Sequence, residues 1–124
     1  TGRYHPGFFE RASLFPSTGL AEKVAAGAEL FFVGHSLGGA VASVVTIEML
    51  GRHPSIARER VRCITAGSPL VGDSGIRKRC EQLGITGNLF HMVEPGDAVP
   101  RLLSFIGAAK NFANGCSGKL RGAV

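Results

Sequence analysis

Long apolar runs are missing from this chain of 124 residues, although apolar residues make up 44% of it. No run approaches the roughly 20 residues that a membrane-spanning helix needs, so the sequence predicts no such helix. The first residues, TGRYHPGFFER, lack the continuous apolar core of a secretory signal, and they do not begin with methionine. We therefore expect the chain to start inside a longer protein.

Cysteine is scarce as well. The chain has three cysteines, Cys63, Cys80 and Cys116, which show neither the spacing of a metal site nor the even number of a disulfide framework. An odd number of cysteines favours a reducing compartment, which here means the cytoplasm. Cys63 lies in an apolar run and is expected to be a small buried hydrophobic residue. No metal and no cofactor are implied.

Acidic residues are fewer than basic ones, nine against fourteen, and the net charge is +5. Such a charge can attract a polyanion or an anionic membrane surface. The basic residues are scattered, however, apart from short clusters at 58–62 (RERVR) and 77–79 (RKR). Solvated helix faces and loop rims explain this distribution better than a polyanionic ligand does. Nothing in the chain resembles a nucleic-acid-binding module, whereas transient contact with a membrane or lipid interface remains open.

A G-x-S-x-G motif at residues 34–38 (GHSLG) organises the sequence. The apolar run LFFV at 30–33 precedes it, and a long apolar segment at 40–50 follows it. This context predicts a buried strand, a tight turn and a buried helix, in which the serine lies on a strained turn with an exposed hydroxyl. Ser36 is therefore a candidate nucleophile. The alternative is that Ser36 only caps the helix that follows.

The other residues of the motif have expected roles of their own. We expect Gly34 and Gly38 to be required, because a Cβ at either position would collide with the neighbouring strand or helix. The amide of Leu37 starts the helix and points towards developing negative charge, so it is a candidate oxyanion donor. His35 lies inside the turn, and its side chain is expected to point into the fold.

The remaining elements follow from apolar spacing and from breaking residues. The predicted helices are 7–14, 20–28, 40–50 and 74–83, and the predicted strands are 30–33, 61–66 and 88–93. Asp73 should cap the last helix, and Gly84 should end it. Segment 101–112 is either a final helix or an irregular apolar segment. The alternation of strands and helices indicates βαβ units, a parallel sheet and a single domain over residues 1–124.

In a parallel sheet, ligands bind at the edge where the strands have their carboxyl ends. Ser36, Ser68 and Asp97 follow the three predicted strands and should meet at this edge. An aspartate that follows the serine in the chain is the expected partner of the histidine in a Ser-Asp-His triad. Asp97 is the candidate and Glu94 its rival, while an ordinary turn residue is the alternative for Asp97. Ser68 is expected to support its turn by hydrogen bonding.

A histidine that would complete this triad should lie beyond Asp97. The four histidines of the chain all precede it, and they are His5, His35, His53 and His91. We therefore expect the general base to follow Val124 in the complete protein.

Four segments, in this order, resemble the class 3 lipases of the α/β-hydrolase superfamily. They are HPGFFERA (5–12), GHSLGGAVAS (34–43), TAGSPLVGD (65–73) and EPGDAVPRLL (94–103). The resemblance implies an α/β-hydrolase-like, mostly parallel sheet flanked by helices and truncated at both ends in this chain. The link between the first two segments is short and is similar to the intracellular plant and protist branch, which includes lipase-like defence regulators.

The resemblance also implies an activity, that of a serine carboxylic-ester hydrolase, or lipase, acting on acyl glycerolipids. It makes Ser36 the nucleophile, Asp97 the triad aspartate and the Leu37 amide an oxyanion donor. A second oxyanion donor and a lid would precede Thr1. With part of the triad only, the chain alone is expected to be inactive or nearly so.

A second interpretation is a lipase-like domain that hydrolyses nothing and serves in binding or signalling, because fold does not determine function. Ser36 and Asp97 favour hydrolysis, and the missing histidine leaves the second interpretation open. The apolar residues of LLSFI (102–106) either line an acyl pocket or pack the core.

Overall fold

Three parallel strands, in the order β1-β2-β3, form the sheet of a computed structural model that describes residues 2–99. The helices are α1 (Pro6–Ala12), α2 (Ser17–Ala25), α3 (Leu37–Arg52) and α4 (Ser74–Leu83), and the strands are β1 (Leu30–His35), β2 (Val61–Ala66) and β3 (Leu89–Met92). Gly34 of β1 pairs with Thr65 of β2, and Thr65 pairs with His91 of β3. The predicted parallel sheet flanked by helices is confirmed. Segment 101–112 lies outside the described residues.

Strand β2 and helix α4 have the predicted bounds. The Asp73 carboxylate caps α4 by accepting hydrogen bonds from the amides of Gly75 and Ile76, and Gly84 ends the helix with a left-handed φ of 66°. Backbone hydrogen bonds, led by the one from Arg3, lower the pKa of Asp73. The capping role predicted for Asp73 is confirmed.

Three helices begin or end elsewhere than predicted. Helix α1 ends at Ala12, so Phe15 is not on its buried face and is exposed. Helix α2 begins directly after Pro16, which cannot donate an amide hydrogen bond but fits a helix start. Helix α3 begins at Leu37, as the serine turn predicts, and continues to Arg52, two residues beyond the predicted apolar segment.

Helix α3 forms the centre of the core. It contacts β1, β2, α1 and α2, and residues such as Val44, Met49 and Leu50 are fully buried on it. Each such side chain stabilises the fold by about 1.5–3 kcal/mol relative to an exposed one. Cys63 of β2 faces this helix and is fully buried, as predicted.

The other face of the sheet is exposed among residues 2–99, so the strand predicted to be buried at 30–33 is buried on one face only. Phe32 faces α3 and is buried, whereas Phe31 and Val33 are 53% and 72% exposed. Phe90 and Met92 of β3, on the same face, are also exposed. We call the surface of Phe31, Val33, Phe90 and Met92 the open face. No helix in the described part is both long enough and apolar enough to cross a membrane.

His35 also lies on the side of the open face. Side chains alternate along a strand, and Gly34 faces α3, so the His35 ring is exposed rather than pointing into the fold. The prediction for its side chain is therefore wrong.

Candidate active site

Ser36 has the backbone of a strained turn between a strand and a helix. Its φ of 52° and ψ of −123° lie outside the regions favoured by side-chain-bearing residues. Within residues 2–99, no other non-glycine residue has a positive φ. Such a conformation costs about 1–3 kcal/mol and persists only where the surroundings enforce it. Here the Ser36 amide donates to the Ala66 carbonyl at 2.9 Å, which ties the turn to β2.

The Ser36 hydroxyl is not used to cap the helix. Ser36 occupies the N-cap position of α3, yet its side chain makes no capping hydrogen bond there. The alternative that this serine is merely a cap is therefore wrong. The residue is half-buried and directly follows the carboxyl end of β1.

Close packing of α3 on the sheet depends on two glycines, Gly34 and Gly39. The requirement for Gly34 was predicted from the sequence, and that for Gly39 was not. A Cβ on Gly34 would lie 2.4 Å from the carbonyl of Gly38 and 2.5 Å from the Gly39 amide nitrogen. A Cβ on Gly39 would lie 3.1 Å from Thr65 Cβ and 3.0 Å from Ser68 Cβ. For a Cβ on Gly38, no described atom outside the adjoining helix backbone lies within 4 Å, so the predicted collision there is wrong.

Leu37 and Gly38 are the first two residues of α3. Amides in the first turn of a helix have no acceptor within the helix, and they lie at the positive end of its dipole. The Leu37 amide directly follows the candidate nucleophile in the chain, which is the position that an oxyanion donor occupies in such a turn.

Asp97 lies over the end of β2 rather than beyond β3. Its Oδ2 atom is 3.0 Å from the position that a Gly67 Cβ would occupy, and Gly67 itself has a φ of +56°. The Gly67 amide donates to the Met92 carbonyl at 3.0 Å, which joins the ends of β2 and β3. Since Gly67 follows the residue that binds the Ser36 amide, the serine and the aspartate lie at the same edge of the sheet.

The two oxygens of the Asp97 carboxylate have different surroundings. Oδ1 accepts a hydrogen bond from the Val99 amide at 2.9 Å, so the residue does support its own turn. Oδ2 faces Gly67, and His35 Nε2 lies 3.9 Å from the same Cβ position. Glu94, the rival carboxylate, is exposed and accepts the Asp97 amide through its backbone carbonyl.

The described histidines lie in four different places. His5 occupies the N-cap position of α1, with its ring centroid 4.6 Å from that of Phe8, and His53 ends α3 at the opposite end from Ser36. His91 Nδ1 lies 2.6 Å from Thr65 Oγ1, and burial lowers the pKa of His91. Among the described residues, neither His35, His53 nor His91 makes a hydrogen bond with Ser36 or Asp97. Residues 2–99 contain no group of three or more His, Cys, Asp or Glu placed to hold a metal.

Ser68 and Thr65 complete the surroundings of the turn. The Ser68 hydroxyl donates to the Pro69 carbonyl at 3.1 Å, so it supports its own turn as predicted. Thr65, which sequence reasoning did not single out, is buried beneath Gly39. Its place on the inward face of β2, two residues after Cys63, follows the alternation that could have identified it.

A parallel sheet with a strained serine between its first strand and the following helix defines an α/β-hydrolase-like fold. The chain belongs to the class 3 lipase family, whose model, "Lipase (class 3)", matches residues 17–106. Its structure is similar to that of lipase II from Rhizopus niveus, with a TM-score of 0.69 and 26% identity, over 82% of this chain and 40% of that one.

Two curated proteins of Arabidopsis thaliana are also similar in sequence. Lipase-like PAD4 is 39% identical over 70 residues, which is 55% of this chain and 12% of that protein. Protein EDS1 is 35% identical over 79 residues, which is 60% of this chain and 12% of that protein. The chain therefore spans about an eighth of the length of these relatives.

Proposed function

We propose that the chain is the nucleophile-bearing part of a serine carboxylic-ester hydrolase that cleaves acyl glycerolipids, and that residues 1–124 belong to one partial lipase domain. The observation that carries the proposal is the Ser36 backbone, held at a positive φ by a hydrogen bond to β2 while the hydroxyl stays out of the helix cap. Backbone strain of this kind, at a serine whose hydroxyl makes no capping hydrogen bond, is typical of active sites.

In the proposed reaction, Ser36 Oγ attacks the ester carbonyl, and a histidine from outside residues 2–99 takes the hydroxyl proton. Asp97 Oδ2 orients that histidine and stabilises its cation. The Leu37 amide donates to the oxygen that becomes negative. The C–O bond to the alcohol then breaks, the imidazolium protonates the leaving alcohol, and water hydrolyses the acyl-enzyme by the same steps.

An apolar groove of about 710 Å³ beside the turn supports an acyl substrate. Apolar side chains provide most of its lining, among them Leu14, Phe15, Val33, Leu37 and Val41. Leu37 belongs both to this groove and to the proposed oxyanion site, so an ester bound at the serine would have its chain next to apolar surface. Transient contact with a lipid interface is part of the same proposal.

Ser36→Ala tests the proposal in the complete protein, by which we mean the natural product that contains this chain. Hydrolysis of short-chain and long-chain esters should fall by several orders of magnitude. Ser55→Ala, the same change at an exposed serine beyond the far end of α3, is the matched control. Undiminished hydrolysis by Ser36→Ala would contradict the assignment.

A non-hydrolytic binding or signalling domain is the second candidate. The observation that favours it is the similarity to Lipase-like PAD4. The two candidates differ in reactivity, because a fluorophosphonate labels a serine that a histidine activates. A complete protein that is folded and yet unlabelled would favour the binding domain.

A further inference from the structure

The hydrogen bond between Thr65 and His91 joins β2 to β3 beneath the serine turn. Thr65 Oγ1 lies 2.6 Å from His91 Nδ1, and the two residues are direct partners in the parallel pair. Thr65 is 1% exposed. A hydroxyl that is this deeply buried requires a hydrogen-bond partner, and the imidazole is the side chain that provides one.

Thr65 also supports the backbone on both sides of Ser36. It is the register partner of Gly34 in β1. On the other side, the space of a Gly39 Cβ is bounded by Thr65 Cβ and by the Gly34 carbonyl oxygen, each at 3.1 Å. The absence of a Cβ at Gly39 thus lets the backbone of α3 pack directly on Thr65. Because close-packed interiors transmit small displacements, a shift of Thr65 would displace the first turn of α3.

Protonation of His91 would reverse the hydrogen bond. A neutral ring with its proton on Nε2 accepts the Thr65 hydroxyl proton at Nδ1, whereas an imidazolium donates at both nitrogens. Nδ1–H would then donate to Thr65 Oγ1, and the hydroxyl proton of Thr65 would have to turn to another acceptor. Burial lowers the pKa of His91, which favours the neutral ring and the first arrangement.

The charged groups around His91 are not free to stabilise its protonated ring. Asp73, Arg77, Cys80 and Glu81 line the same cavity as His91, between β3 and α4. The Asp73 carboxylate accepts backbone amides at the start of α4, and Arg77 pairs with Glu81 at 3.1 Å. Burial raises the pKa of the Cys80 thiol and keeps it neutral. Both carboxylates that line this cavity are thus already engaged.

We propose that His91 is a positioning residue whose neutral imidazole holds Thr65 under Gly39 and so fixes the amides at the start of α3, including that of Leu37. Protonation of His91 at acidic pH weakens this support, because the ring no longer accepts the Thr65 hydroxyl proton. Its consequence for catalysis rests on the proposed hydrolase function, whereas the coupling between His91 and the turn does not. In an ester hydrolase, activity lost at acidic pH would come partly from His91 and not from the triad histidine alone.

Amide and imidazole NMR spectra of the complete protein, recorded between about pH 5 and pH 8, test the coupling without any measurement of activity. The amides of Leu37 and Gly39 should shift with the same midpoint as the His91 ring. His91→Gln should remove that component of the shift. His53→Gln is the matched control at the far end of α3 and should leave it intact. His35, kept in both variants, contributes equally to both spectra.

Thr65→Val keeps the test decisive where His91→Gln fails to fold. In this variant the His91 ring should still titrate, but the amides of Leu37 and Gly39 should no longer follow it, and Thr65→Ser should restore the coupling. Amides that do not follow His91 in the unaltered chain, or that keep the same component in His91→Gln, would overturn the proposal. A protein without esterase activity would still give the NMR result, so the two proposals can fail separately.

Discussion

Adding one methyl group at Gly34 or at Gly38, the two glycines that flank the serine turn, should have opposite effects on stability. In Gly34→Ala the new Cβ would lie 2.4 Å from the Gly38 carbonyl and 2.5 Å from the Gly39 nitrogen. These obstacles are backbone atoms of α3, so the helix itself has to move away from β1. Overpacking of this kind costs about 1–3 kcal/mol, and rigid backbone obstacles place Gly34→Ala at the upper end.

Gly38→Ala differs because no described atom outside the adjoining helix backbone lies within 4 Å of its added Cβ. Alanine is favoured over glycine in a helix by about 0.5–1 kcal/mol. We therefore expect Gly38→Ala to be neutral or slightly stabilising. The two variants should differ by about 3 kcal/mol or more in the free energy of unfolding.

Urea unfolding of the 124-residue chain, followed by circular dichroism, measures this difference. The midpoint should fall for Gly34→Ala and stay or rise for Gly38→Ala, at a similar dependence on urea concentration. Equal midpoints for the two variants would refute the packing argument, and so would a Gly34→Ala chain as stable as the original one.

Three further predictions concern the site, its support and the open face. In the complete protein, Asp97→Asn should lower kcat by about 10⁴-fold, which is the effect of losing a triad aspartate. The matched change Glu94→Gln should leave kcat near its original value. Equal losses of kcat in the two variants would contradict the assignment of Asp97. The free energy of unfolding should fall as pH drops below about 6.5, because burial lowers the pKa of His91 and the unfolded chain then binds more protons than the folded one. Urea unfolding at about pH 5.5 and pH 7.5 measures this fall, which should be smaller for His91→Gln than for the unaltered chain. An equal fall in both would contradict the prediction. An apolar dye should bind to the open face of the 124-residue chain, where Val33 is 72% exposed. Val33→Lys should therefore reduce the fluorescence of the bound dye. Undiminished fluorescence would show that the dye binds elsewhere.

Local signals in the sequence were sufficient for much of the fold. Strand β2 and helix α4 were predicted with their observed bounds, because breaking residues flank both and Asp73 provides a cap at the start of α4. The serine turn was predictable for the same reason, since an apolar run, a G-x-S-x-G motif and a second apolar segment adjoin one another in the chain.

Features that depend on tertiary packing were not predictable in this way. The run LFFV is apolar at every position, which indicates burial on both faces, but α3 covers only one face of β1 in the described residues. Gly39 and Gly38 are adjacent in the sequence and differ only in which side of α3 they occupy. The partnership of Thr65 with His91 depends on the register of β2 and β3, which spacing alone does not give.

The candidate site was predictable from local signals in part, and in part it depends on tertiary packing. The position of Asp97 after the last predicted strand makes it a candidate, and its carboxylate lies beside Gly67, which follows the β2 residue that binds the Ser36 amide. Oδ1 is engaged by the Val99 amide, so the interpretation of Asp97 as a turn residue and its proposed catalytic role apply to different oxygens of the same side chain. The role in catalysis stays a prediction.

Covalent labelling of the complete protein with a fluorophosphonate tests the central claim most directly. Mass spectrometry should find the label on Ser36, because its hydroxyl is held clear of the helix cap at the edge of the sheet. Labelling should disappear in Ser36→Ala and slow strongly in Asp97→Asn. A label on another residue, or an ester hydrolase activity that persists without any label on Ser36, would contradict the account.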